Sequence, residues 1–255
     1  MLLPSPLSAA AAVSFCATSP SAVVLTVWPS GTGHLANVKD WLDGLGARIL
    51  HASPVPLTTE TSELLTVMAL YDGEEWLEST CWYMEQPLPS GPPPAPYAGA
   101  KWKRALCFKG STREPHAIVL DVSAATASVW SSKYAIRAAL ARASGNPGNS
   151  CIHLTDEQDE TVLAERRDGE RRRARGMGCD DSYAFACARA LLHPDSVAWL
   201  NSDATGLATR ELGSPAFRAA WAQYTDWLHA PHAADEGGGE ASGFDAAPSF
   251  AAPAS

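Results

Sequence analysis

The run Asn149-Ser150-Cys151-Ile152-His153-Leu154-Thr155-Asp156 sets an imidazole two residues before a hydroxyl and three before a carboxylate. Groups at that spacing can hold a histidine ring in one tautomer, which a nucleophilic histidine needs for phosphoryl transfer. Arg137 lies 16 residues earlier in a helix-like stretch, with Lys133 one turn before it. Two cations at i and i+4 share a helical face, and a guanidinium fork suits phosphate oxygens. The candidate site is therefore His153 as nucleophile, Thr155 and Asp156 as the groups that steady it, and Arg137 and Lys133 as substrate-binding cations. The same residues also have an inert use, as a core or surface histidine followed by a routine helix cap.

Around that segment the chain alternates strands and helices. Ala22 to Trp28 is a β-branched run that stops at Pro29-Ser30-Gly31 and reads as a buried strand. Leu35, Val38, Trp41, Leu42 and Leu45 recur at helical spacing, and Gly46 ends that helix. A second strand spans Ala47 to Ala52, and a second helix Thr59 to Leu70. Ala105 to Phe108 is a short apolar segment among Lys101, Lys103, Arg104 and Lys109. His116 to Val122 reads as a strand, and residues from about Ala125 to Ala143 as a helix. A brief strand at Cys151 to His153 precedes a helix opening at Asp156. Helices resume from Asp181, from Pro194, and from Phe217 to Leu228. This order predicts an α+β fold: a small ferredoxin-like (split βαβ) antiparallel sheet with helices on one face, plus extra C-terminal helices.

The predicted organisation is a leader over residues 1–21, one domain over 22–230, and a disordered tail over 231–255. The domain would carry a Pro-rich loop at 86–97 and an Arg-rich insertion at 165–178. Residues 1–22 hold no charged side chain and end in small residues. They read either as a disordered leader or as a targeting segment of secretory or organellar type. Net charge is −9, and residues 165–175 carry +3 of it against −12 elsewhere. An acidic chain argues against general binding to nucleic acid or anionic membrane. No apolar run approaches a membrane span. None of the six cysteines forms a C-x-x-C pair, so they read as buried thiols rather than zinc ligands.

Ile136-Arg137 followed by His153-Leu154-Thr155-Asp156 resembles the nucleoside diphosphate kinases, which have Ile-Arg-Gly and then Asn-x-x-His-Gly-Ser-Asp. The first strand, Val-Leu-Thr-Val-Trp-Pro, and the strand from His116 also resemble that family's elements, so the likeness spans about residues 22–165. It implies a histidine that takes a phosphoryl group from one nucleotide and passes it to another. Mg²⁺ would arrive on the nucleotide, the partner would be a nucleotide or another phosphate-bearing small molecule, and homo-oligomers are frequent among such enzymes. The chain departs from the pattern at Trp28, where the family has a lysine, and at Ala138 and Leu154, where it has glycines. Lys101 and Lys103 could stand in for that lysine, or simply form a solvated basic turn. The expected function is a divergent nucleotide-dependent phosphotransferase; the alternative is a non-catalytic nucleotide- or protein-binding domain of the same fold.

Overall fold

The computed structural model describes residues 3–72, 75–77, 96–110, 112–127, 129–155, 183–202 and 212–230. The Arg-rich insertion, Asp156 with the helix expected from it, the C-terminal tail and residues 86–95 of the Pro-rich loop lie outside the described residues. Four strands, β1 (Ala22–Val27), β2 (Arg48–Pro54), β3 (His116–Asp121) and β4 (Ile152–Leu154), form one sheet in the order β2-β3-β1-β4. All three neighbouring pairs are antiparallel. Helix α2 (Leu35–Leu45) joins β1 to β2, and α5 (Val129–Ser144) joins β3 to β4.

α2 ends where the sequence predicts. Gly46 adopts φ 72°, a left-handed conformation that glycine takes without steric cost, and its N–H returns to the last turn. α3 (Glu60–Leu70) starts in a capping box between Thr59 and Ser62. α5 begins at Val129, later than the Ala125 expected, because Thr126 is tied by its N–H to Leu45 O (2.9 Å). The apolar segment at Ala105 to Phe108 belongs to a further helix, α4 (Ala98–Cys107), and is no separate element.

Helices cover both faces of the sheet, which corrects the expectation of one. All six residues of β1 are buried, so its alternate side chains need cover on each side. Val23, Leu25, Val27, Ile118, Leu120, Ile152 and Leu154 pack with Val38 and Leu42 of α2 and Ile136 and Leu140 of α5. On the opposite side Val24, Leu50, Ala117 and Val119 pack with α3, α4 and the C-terminal helices α6 (Tyr183–Leu192), α7 (Pro194–Asn201) and α8 (Pro215–His229). A bulge shifts the β2–β3 register between Ile49 and His51, and Leu50 lies in this second layer.

Part of the segment read as a disordered leader or a targeting segment belongs to that layer. Residues Ala9–Thr18 form helix α1, capped by Ser8, whose hydroxyl accepts from Ala11 N–H. Its alanines favour helix, and Ala12, Val13 and Cys16 are buried against α6, where Ala184, Ala188 and Cys187 allow close approach. The four described cysteines, Cys16, Cys107, Cys151 and Cys187, are buried thiols. Burial pushes the Cys16 and Cys107 thiols up to about 12, which makes them poor nucleophiles. No helix among the described residues is long and apolar enough to cross a membrane.

If α1 is part of the packed body, Ala12→Asp buries an unpaired carboxylate and lowers stability by more than about 3 kcal/mol. Ala11→Asp, on the exposed side of the same turn, leaves it unchanged. Thermal unfolding should separate the two variants by about 6–12 °C; equal melting would remove α1 from the core.

Candidate functional site

β4 is only three residues long and lies at the sheet edge, so its backbone bonds decide where His153 sits. Trp28 N–H donates to Cys151 O (2.9 Å) and Thr155 N–H to Val24 O (2.9 Å), one on each side of His153. Thr155 adds a side-chain bond by accepting from Val24 N–H at 2.8 Å. Its hydroxyl therefore holds the strand against β1. The expectation that Thr155 steadies the imidazole is corrected, because the hydroxyl is spent on the backbone.

The ring of His153 is 6% exposed and faces the second layer. Tyr71 meets it edge-on at 4.6 Å between centroids, and Tyr183 does so from α6 at 6.0 Å. The Tyr183 hydroxyl lies 3.1 Å from His153 Nε2 and also donates to the Leu70 carbonyl. A phenol has one proton to give, so with that proton on Leu70 its oxygen accepts from Nε2–H. This network assigns the tautomer and leaves the lone pair on Nδ1.

Cations arrive from two helices. Lys103, on α4, is 1% exposed, donates to Asn149 O at 2.6 Å, and has Nζ 5.3 Å from the Tyr71 ring centroid. Lys133 (3% exposed) and Arg137 lie one turn apart on α5. α5 can approach β4 because the intervening turn carries Gly148, where a Cβ would stand 2.1 Å from the Arg137 carbonyl oxygen. Burial, and then the charges of Arg137, Lys103 and Lys133, hold the His153 pKa well below its ordinary value. The ring is accordingly neutral at physiological pH.

The charges of Lys103, Lys133 and Arg137 are thus felt at His153, while Lys101 is not among them. Residues two apart on a helix point to opposite sides, so Lys103 is buried while Lys101 stays partly exposed. The solvated basic turn proposed for this stretch is in fact α4, with Lys103 inside. Sequence reasoning did not single out Tyr71, just past the helix expected to end at Leu70, or Tyr183, in the helix expected from Asp181. It also missed Thr26, the cross-strand partner of His153; the signal was a hydroxyl within an otherwise apolar strand. Thr26 Oγ1 and Arg137 Nε are both buried without a hydrogen-bond partner. An unsatisfied buried polar group costs about 1–3 kcal/mol. Among the described residues no group of three His, Cys, Asp or Glu is placed to hold a metal ion.

Comparison of the chain with protein-family models, with curated proteins and with solved structures finds no match.

A histidine kept neutral in the folded state makes stability depend on pH in a definite direction. Below about pH 6.5 the unfolded chain binds a proton at this residue that the folded chain refuses, so stability falls as pH falls. Urea unfolding from about pH 7.5 to about 5 should show a larger loss for the wild type than for His153→Phe. Equal losses would assign the acid sensitivity to other groups.

Proposed function

We propose that this chain is a divergent nucleotide-dependent phosphotransferase of ferredoxin-like architecture in which His153 carries the phosphoryl group. The observation that supports this most is a buried imidazole whose pKa is held down by burial and by the charges of Arg137, Lys103 and Lys133. Three cations around an uncharged ring suit a ligand that brings negative charge. The architecture is supported by the strand order β2-β3-β1-β4 with α2 and α5 as its two crossings.

In this reading the Nδ1 lone pair attacks the terminal phosphorus of a nucleoside triphosphate. The N–P bond forms as the bond to the bridging oxygen breaks, and the diphosphate leaves with that electron pair. Nε2 keeps its proton against Tyr183. The terminal oxygen of an acceptor nucleoside diphosphate then attacks the phosphorus and releases the imidazole. Lys103, Lys133 and Arg137 offset the charge on the transferring oxygens, and transfer of this kind depends mainly on positioning and charge. Mg²⁺ comes with the nucleotide as the counter-ion of its phosphates, in keeping with a site whose grouped side chains are cationic.

A second reading, a non-catalytic nucleotide- or protein-binding domain, is favoured by the 6% exposure of His153 and its bond to Tyr183. On the transferase reading the ring must be uncovered before a phosphate can reach Nδ1. One experiment separates the two. The full chain is incubated with Mg²⁺ and γ-labelled ATP, and acid-labile label is measured by intact mass beside His153→Phe and Lys103→Met. The expected result is label in the wild type, none in His153→Phe, and labelling about 10²-fold slower in Lys103→Met, with melting checked for each. Absence of label with a melting temperature still raised by ATP supports the binding domain. Absence of both removes nucleotide from the function.

A further inference from the structure

We infer that Thr26 is a ligand-binding residue of the His153 site, its hydroxyl donating to an oxygen of the phosphoryl group bound there. The inference rests on the phosphotransferase reading and adds a residue to it.

Thr26 and His153 are directly opposed across the β1–β4 pair. The flanking backbone bonds, Trp28 to Cys151 and Thr155 to Val24, make this a hydrogen-bonded position, with Cα atoms about 5.5 Å apart and both side chains on one face. Across β1, the opposite neighbour of Thr26 is Ala117, followed by Ser53 on β2. The row over the four strands is therefore Ser53, Ala117, Thr26, His153, and the side chain next to Thr26 on its other flank has no polar atom.

Thr26 is 0% exposed and its Oγ1 has no hydrogen-bond partner. Valine would fill the same volume in a strand otherwise made of Ala, Val and Leu, without burying a hydroxyl. A threonine hydroxyl in a β-strand can bond to nearby backbone, as Thr155 does; that of Thr26 does not. What sets it apart from the other β1 side chains is that it stands directly opposite His153 across the β1–β4 pair. Arg137 Nε is a second buried donor without a partner. A tetrahedral oxyanion on Nδ1 would present oxygens that need donors, and a neutral hydroxyl supplies one without adding further positive charge beside the ring.

The test compares Thr26→Val and Thr26→Ser with the wild type in the full chain, reading melting temperature without ligand, the rate of labelling by γ-labelled ATP, and the melting shift given by ATP. Thr26→Val should melt at or above the wild-type temperature, since no bond is lost, while its labelling rate falls about 10- to 100-fold. Thr26→Ser should recover the rate to within a few-fold. A Thr26→Val protein that labels at the wild-type rate would overturn the assignment and leave the transferase reading intact. A lowered melting temperature with labelling reduced equally in Thr26→Val and Thr26→Ser would also overturn it, since the residue would then be structural. If the wild type takes no label, the transferase reading fails by itself. An ATP shift lost in Thr26→Val and kept in Thr26→Ser would then still support Thr26 as an anion-binding residue, and an unchanged or absent shift would overturn it.

Discussion

The pairing of β4 with β1 is the contact on which the site depends. A three-residue strand has few bonds with which to hold its place, and an edge strand has a neighbour on one side only. Here the ladder is reinforced at both ends by side chains. Thr155 accepts from Val24 N–H beyond β4, and the Ser30 hydroxyl donates to Ser150 O at 2.5 Å before it. Gly31 lets the loop after β1 close onto this turn, since a Cβ there would sit 2.7 Å from Cys151 O. With both ends fixed, the register is fixed, and a slip of one residue would turn His153 to the other face of the sheet. The residues that do the fixing have no part in the chemistry proposed.

Placing His153 there carries a thermodynamic cost. The ring is desolvated and surrounded by positive charge, so protonation is suppressed and folding is opposed at acid pH. Lys103 and Lys133 are themselves almost wholly buried, a condition rare for lysine. Part of that cost is offset locally, by the Asn149 carbonyl and the face of Tyr71 under the Lys103 ammonium. The Asp121 carboxylate, by contrast, is held in its charged form. Burial pushes its pKa up, but hydrogen bonds from Ser123, Ser21 and Arg48 outweigh that and hold it down at about 2. There the charges are matched within the chain, and the group reads as structural.

Local signals in the sequence were legible where the cause was local. α2 follows from its 3.6-residue apolar period and Gly46, and β1 and β3 from their β-branched runs. α1 was not legible, because an alanine-rich run with small residues on every face has little amphipathic contrast; what orders it is the small-residue face of α6, far away in the chain. The second helical layer was missed for the same reason, although six consecutive apolar or β-branched residues in β1 already implied cover on both faces. For the site, His153, Arg137 and Lys133 could be found because they sit in short segments with periodic spacing. Lys103 could be told from Lys101 only once α4 was known to be a helix. Thr155 was misread because a hydroxyl near an imidazole was credited to the imidazole before the backbone had been considered.

The end of α3 ties the site to the C-terminal layer. Leu70 accepts from Tyr183 of α6, and Tyr71 lies against both His153 and Lys103. Asp72 accepts from Trp221 Nε1 at 3.4 Å and lies 3.9 Å from His229 Nε2, both on α8. Three successive residues thus join the imidazole, a buried ammonium and two helices more than a hundred residues downstream. Tyr71 and Tyr183 both lie against the His153 ring, and the Tyr183 hydroxyl is anchored on the residue next to Tyr71.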